Sequence, residues 1–204
     1  MVLIHGITDT WRSWELVLPE LEKHHDVLAL TLPGHKGGPA IEGEINERVL
    51  TGAVEAAMDE AGFETAHVVG NSLGGYLALH MAALGRARTT VALAPAGGWA
   101  SGDESYRDAL EFFVRMNGLL KADEPHAEAI VSSMDGQRQA TQFITERYEH
   151  IPADLIAHQI RGAAGCAATI PLIEYATDNG WALDTEGIRG PVRIVWDTQD
   201  RVLA

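Results

Sequence analysis

Thr65-Ala66-His67-Val68-Val69-Gly70-Asn71-Ser72-Leu73-Gly74-Gly75-Tyr76-Leu77 decides the reading of the chain. Its first five residues are short, apolar and partly β-branched, the pattern of a buried strand. From Leu73 to Leu84 the period changes, and Leu73, Leu77, Met81 and Leu84 are expected on one helical face. Between them stands Gly70-Asn71-Ser72-Leu73-Gly74, a G-x-S-x-G pattern. A serine on so sharp a strand-to-helix turn adopts strained backbone angles that lift its hydroxyl clear of the sheet. Side chains two positions either way would collide across the turn, so both are glycine. The plainer reading is a glycine-rich turn with a serine helix cap. The strand before and the helix after favour the nucleophile.

Outward from that turn, other segments repeat the alternation. Met1-Val2-Leu3-Ile4-His5-Gly6 is an apolar, strand-like run already under way at the first residue, from which earlier strands are expected to be missing. A helix through Trp11 and Trp14 follows, to be kinked or divided at Pro19. Asp26 to Thr31 reads as a strand, closed by the breaker-rich loop Leu32-Pro33-Gly34-His35-Lys36-Gly37-Gly38. Glu44 to Ala61 is an amphipathic helix with Ile45, Val49, Ala53 and Ala56 on its inner face, ended by Gly62. Thr89 to Pro95 is the next strand, with an exit loop through Trp99. This order predicts a mostly parallel sheet with helical crossovers. Ligands in such sheets bind at the carboxyl ends of the strands, where His5, Gly6, the Pro33 loop, Ser72 and Pro95 fall.

From Ser101 to about Asn179 every segment reads as helix, so residues 101–179 are expected to form an inserted lid between a core of residues 1–100 and a late core segment, 180–204. Phe112, Phe113, Met116, Leu119 and Leu120 either line a pocket over Ser72 or glue the lobe to its domain, the second being the commoner use. Pro191-Val192-Arg193-Ile194-Val195-Trp196 is a strand, followed by Asp197-Thr198-Gln199-Asp200-Arg201.

The 204 residues suit one α/β domain, and 29 acidic against 15 basic residues give a net charge of −14. That balance disfavours nucleic acid and anionic membranes as partners. Cys166 is the single cysteine, so no internal disulfide forms, and no metal-ligand spacing occurs. Nothing resembles a signal peptide or membrane span, which makes a cytoplasmic location the default. No cofactor or metal is expected, and the oligomeric state stays open.

Together, Val2 to Gly6, the Trp11 and Trp14 helix, Leu32 to His35, Gly70 to Gly74, and Pro191 to Trp196 with Asp200 and Arg201 resemble the α/β-hydrolase superfamily, in its lid-bearing, single-domain esterase-like branch. The pieces occur in the family's order over nearly the whole chain. The resemblance implies a Ser72 nucleophile, an oxyanion hole from the backbone N–H groups of Ile7 and Leu73, and Asp200 as the acid, preferred to Asp197. His5, Gly6, Asn71 and Pro95 are expected to border the site. It implies hydrolysis of a small carboxylic ester or related acyl substrate through an acyl-enzyme. Epoxide hydrolases and haloalkane dehalogenases of the fold carry an aspartate where this chain has Ser72. The family's base is a histidine beyond one further strand, and no such residue follows Asp200 here. The expectation is an incomplete chain lacking that histidine and the family's first strands and last strand and helix. It would be weakly active, and the alternatives are a non-catalytic small-molecule binder or an inactive remnant.

Overall fold

The computed structural model describes residues 1–97, 106–180 and 182–203. The exit loop through Trp99, the expected start of the lobe at Ser101, and Trp181 lie outside the described residues. Five strands form one parallel sheet: β1 (Val2–Ile4), β2 (Leu28–Leu30), β3 (Ala66–Asn71), β4 (Ala87–Leu93) and β5 (Val192–Val195), in the order β2-β1-β3-β4-β5. The chain steps from β1 to β2 on one side and then returns to lay β3 on the other. The strand order therefore reverses between β1 and β3, where crossover loops leave in opposite senses and open a crevice. Ile4 pairs with Gly70 there, so the ends of the two strands lie side by side.

The helical crossovers differ from the sequence expectation in detail. The Trp11 segment is a 3₁₀ turn over Trp11–Trp14, and a separate short helix, α1 (Leu18–Leu21), begins with Pro19 in its first turn. Pro19 divides the segment because its missing N–H is tolerated only at a helix start. Helix α2 (Glu47–Glu60) starts at Asn46, whose side chain accepts the Val49 N–H, and Gly62 follows its end at φ 75°. Its buried face is Leu50, Val54 and Met58; of the expected inner residues Ile45 is buried just ahead of the helix, Val49 and Ala53 are half-buried, and Ala56 is exposed. Helix α3 (Leu73–Ala83) is buried almost all round, with Leu73, Leu77 and Met81 inside as expected, but Leu84 is 54% exposed beyond its last turn.

After the described part of the chain resumes come α4 (Tyr106–Asp123), α5 (Ala127–Val131), α6 (Met134–Thr141), α7 (Ala153–Ala164) and α8 (Thr169–Asn179). Ala127, Val131, Ile156, Ala157 and Ile160 give α5 and α7 an apolar core of their own. Cys166, Ala168 and Leu172 instead pack with Val2, Ile4, Leu73 and Leu77 in the main core, so α8 leans on the sheet layer. Three contacts tie α7 and its neighbours to the loops of the sheet. His158 meets Thr10 Oγ1 at 2.9 Å, Arg12 pairs with Asp154 at 3.3 Å, and Lys36 with Glu124 at 3.2 Å. No helix among the described residues is long and apolar enough to cross a membrane.

Candidate active site

Ser72 sits at φ 53°, ψ −118° at the junction of β3 and α3, backbone angles that non-glycine residues rarely hold. Its side chain makes no capping hydrogen bond to α3, so the plainer role as a helix cap is not the one it fills. The turn is held by Ser72 N–H donating to Leu93 O at 2.9 Å and by Ser72 O accepting from Tyr76 N and Ala96 N. A Cβ on Gly70 would stand 1.9 Å from Gly74 O, and one on Gly74 would stand 2.1 Å from Ile4 O. Both glycines are therefore sterically required, and the second also lets α3 press against the end of β1.

That close approach brings the β1 exit loop to Ser72. A Cβ on Gly6 would lie 3.3 Å from both Ser72 Cβ and Asn71 Oδ1, so the loop backbone passes directly over the serine. His5 fixes this loop from behind. Leu32 N–H donates to His5 Nε2 at 3.0 Å, which leaves Nδ1 to carry the ring proton and donate to Gly6 O at 2.7 Å. Burial holds the His5 imidazole down at about 4, so it is neutral around pH 7. His35 stacks edge-on against it at 4.9 Å, and burial with the neighbouring His5 puts it at about 3.

Above Ser72 lies a cavity of about 650 Å³. Gly6, Ile7, Thr8, Asn71, Ser72 and Ala94 form its floor; Phe112, Phe113, Met116 and Leu120 of α4 roof it on one side. Four of the five residues expected to line a pocket or glue the lobe thus line the pocket, while Leu119 is 55% exposed. Among the described residues the non-glycine residues with positive φ are Thr8 (69°), Ser72 (53°) and Ala94 (40°), and all three are on this floor. Strained backbone gathered at one cavity marks a site the surrounding fold over-determines.

Of the residues expected at the site, Gly6, Ile7, Asn71, Ser72 and Asp200 meet on the cavity wall, as does Asp197. Leu73, the first residue of α3, is buried and is not among the residues lining the cavity. His5 lies buried behind the wall, and Pro95 packs against Gly75 instead of facing the cavity. Asp200 Oδ1 accepts from Val202 N and Leu203 N, both at 2.8 Å, and Asp197 Oδ1 from Gln199 N at 2.8 Å. Among the described residues no histidine lines the cavity. His67 bonds Thr89 Oγ1 at 2.8 Å, His80 rests on the Tyr76 ring, and His158 is engaged with Thr10. No group of three or more potential metal ligands occurs among the described residues.

Asp9, Asn117 and Gln159 also reach the wall, and nothing in the sequence pattern singled them out. Asp9 Oδ1 accepts from Thr10 N at 2.9 Å, and burial raises its pKa above the usual carboxylate range.

The model of the Alpha/beta hydrolase family matches residues 1–204. The chain belongs to that family. An epoxide hydrolase of Mycobacterium tuberculosis, EphH, is 30% identical over 159 residues, which are 78% of this chain and 74% of that protein. Two solved structures of the fold superpose with TM-scores of 0.73. One is a membrane phospholipase A described as a bacterial virulence factor, at 21% identity, covering 98% of this chain and 63% of that one. The other is the 2-hydroxy-6-oxo-6-phenylhexa-2,4-dienoate hydrolase of Rhodococcus sp. strain RHA1, at 18% identity, covering all of this chain and 74% of that one. At such identities the likeness is one of fold. Ser72 and the Gly6–Ile7 loop converge at the carboxyl ends of β1 and β3, where open α/β sheets bind their ligands.

Proposed function

We propose that this site cleaves a carboxylic ester or related acyl compound through a Ser72 acyl-enzyme. The observation that carries the reading is the uncapped, strained Ser72 on the cavity floor, beside the Gly6–Ile7 loop and the first turn of α3. Ser72 Oγ attacks the acyl carbon, and the carbonyl oxygen takes up the electron pair facing the N–H groups of Ile7 and Leu73. Collapse expels the alcohol with a proton, and water then cleaves the acyl ester and restores the serine. Asp200 is the proposed acid of the site. The family's histidine base has no counterpart on the described wall, so turnover is expected to fall short of a complete triad by roughly 10⁴- to 10⁶-fold.

Ser72 also favours acyl over epoxide substrates. A serine opening an epoxide would leave an ether, which water does not hydrolyse, whereas an aspartate leaves an ester that it does.

A fluorophosphonate probe should add to Ser72, seen as a mass shift that Ser72→Ala abolishes. Its rate should be flat between about pH 6 and 8, because His5 is held neutral and bonded at both nitrogens. A sigmoidal rise centred near 7 would instead reveal a histidine base. Folded protein that binds ligands but takes no label would replace this reading with a non-catalytic binder.

A further inference from the structure

Gln159 stands on α7 among Ile156, Ile160 and Ala163, all of which face the cavity. Its Oε1 is buried and has no hydrogen-bond partner. An unpaired amide in an apolar wall is less favourable than an aliphatic side chain of the same size, unless something else brings the missing donor. Asn117, 4% exposed on α4, also lines the cavity, and its Nδ2 donates to Ala163 O at 3.5 Å, one helical turn beyond Gln159. Gln159 Oε1 is thus an unpaired acceptor in a mostly hydrocarbon wall.

The charges on the wall are of one prevailing sign. Asp9, Glu146, Asp197 and Asp200 stand against Arg147 and Arg201 among the described lining residues, and Arg201 is paired with Glu146 at 3.2 Å. Carboxylates outnumber guanidinium groups on this wall, and Gln159 Oε1 accepts but cannot donate, so a neutral donor suits it better than an anion.

We propose that the substrate of this cavity is a neutral acyl compound carrying a hydroxyl or amide N–H that donates to Gln159 Oε1 beside Asn117, with its apolar part against Phe112, Phe113 and Met116. This rests on the cavity's being the substrate site, and Gln159 then acts as a specificity-determining residue.

Three ligands of nearly one shape test it by calorimetry without any turnover: 3-phenylpropanamide, 4-phenylbutan-2-one and 3-phenylpropanoate. The amide should bind the unaltered chain about ten-fold more tightly than the ketone, from which it differs by one donor group, and more tightly than the carboxylate. Gln159→Met should erase the amide's advantage over the ketone while changing ketone affinity less than two-fold. Gln159→Glu keeps an acceptor, so it should retain the amide's preference and weaken the carboxylate further. None of these affinities depends on labelling of Ser72, so failure of the acyl-enzyme reading would not be mistaken for failure of this one. Equal binding of amide and ketone, tightest binding of the carboxylate, or an amide advantage that survives Gln159→Met would each overturn the proposal. The first comparison needs no variant, so equal binding of amide and ketone overturns the proposal even if the substituted chains do not fold.

Discussion

Gly74 does more to shape the site than any side chain around it. Its α-hydrogen occupies the space where a Cβ would stand 2.1 Å from Ile4 O and 2.6 Å from His5 O, backbone atoms of a central strand that cannot retreat. Gly74→Ala is expected to cost more than about 4 kcal/mol, the range reached when a close backbone contact is lost, and to yield little folded protein. Soluble expression and a urea midpoint would check it; a variant as stable as the parent would mean that α3 does not sit against β1 as described. His5 belongs to the same scale. Its position in a His-Gly pair marks it as bordering the site, but its two ring nitrogens are both engaged in holding Gly6 and Leu32, which makes it a strut and not a base.

At the scale of elements, α2 shows why helical periodicity places a face less surely than it finds a helix. Ile45 is buried as expected, just ahead of the helix, but within it the expected Val49-Ala53-Ala56 and the observed Leu50-Val54-Met58 are neighbouring stripes about one residue apart. Small alanines fit either stripe, and contact with β2 and α3 selects the one with the bulkier side chains. Met58→Ala should cost about 2–5 kcal/mol, the range for emptying a fully buried site, whereas Ala56→Ser should change stability by less than about 0.5 kcal/mol. Denaturant titration of the two variants separates the stripes. The Trp11 segment makes a similar point: Pro19 marks the break, but the 3₁₀ form before it depends on Thr10, whose side chain accepts the Arg12 N–H and whose backbone O bonds Ser13.

Across the whole molecule, buried histidines and an uncovered sheet edge govern behaviour in solution. In the unfolded chain a histidine titrates near 6.5, while folded His5 and His35 stay neutral down to about 4 and about 3. Between these values the unfolded chain binds more protons, so the stability present above pH 6.5 is lost as the pH falls, by up to about 1.4 kcal/mol per unit for each histidine. Asp9, with its raised pKa, works in the opposite sense and offsets part of the loss. The urea midpoint should be lower at pH 5 than at pH 7.5; an unchanged midpoint would show that His5 and His35 are not buried as neutral rings. The edge strand β5 is exposed along its length, with Ile194 at 57% and Trp196 just beyond it at 45%. Such an edge templates pairing with further strands, so the chain should self-associate with rising concentration in sedimentation, and Ile194→Lys should reduce it.

Local sequence was enough for the parallel αβ alternation, the elbow at Ser72 and the need for Gly70 and Gly74, because strand and helix periods, proline and paired glycines act within a few residues; the Gly6–Ile7 loop as neighbour of Ser72 came from the family resemblance. Which helix faces roof the cavity, the neutral tautomer of His5 set by Leu32, and the unpaired Gln159 oxygen on the cavity wall emerged only in three dimensions. Each depends on groups more than 20 residues apart, and nothing in the local pattern of α4 or α7 records which of their faces will close over a serine on another layer.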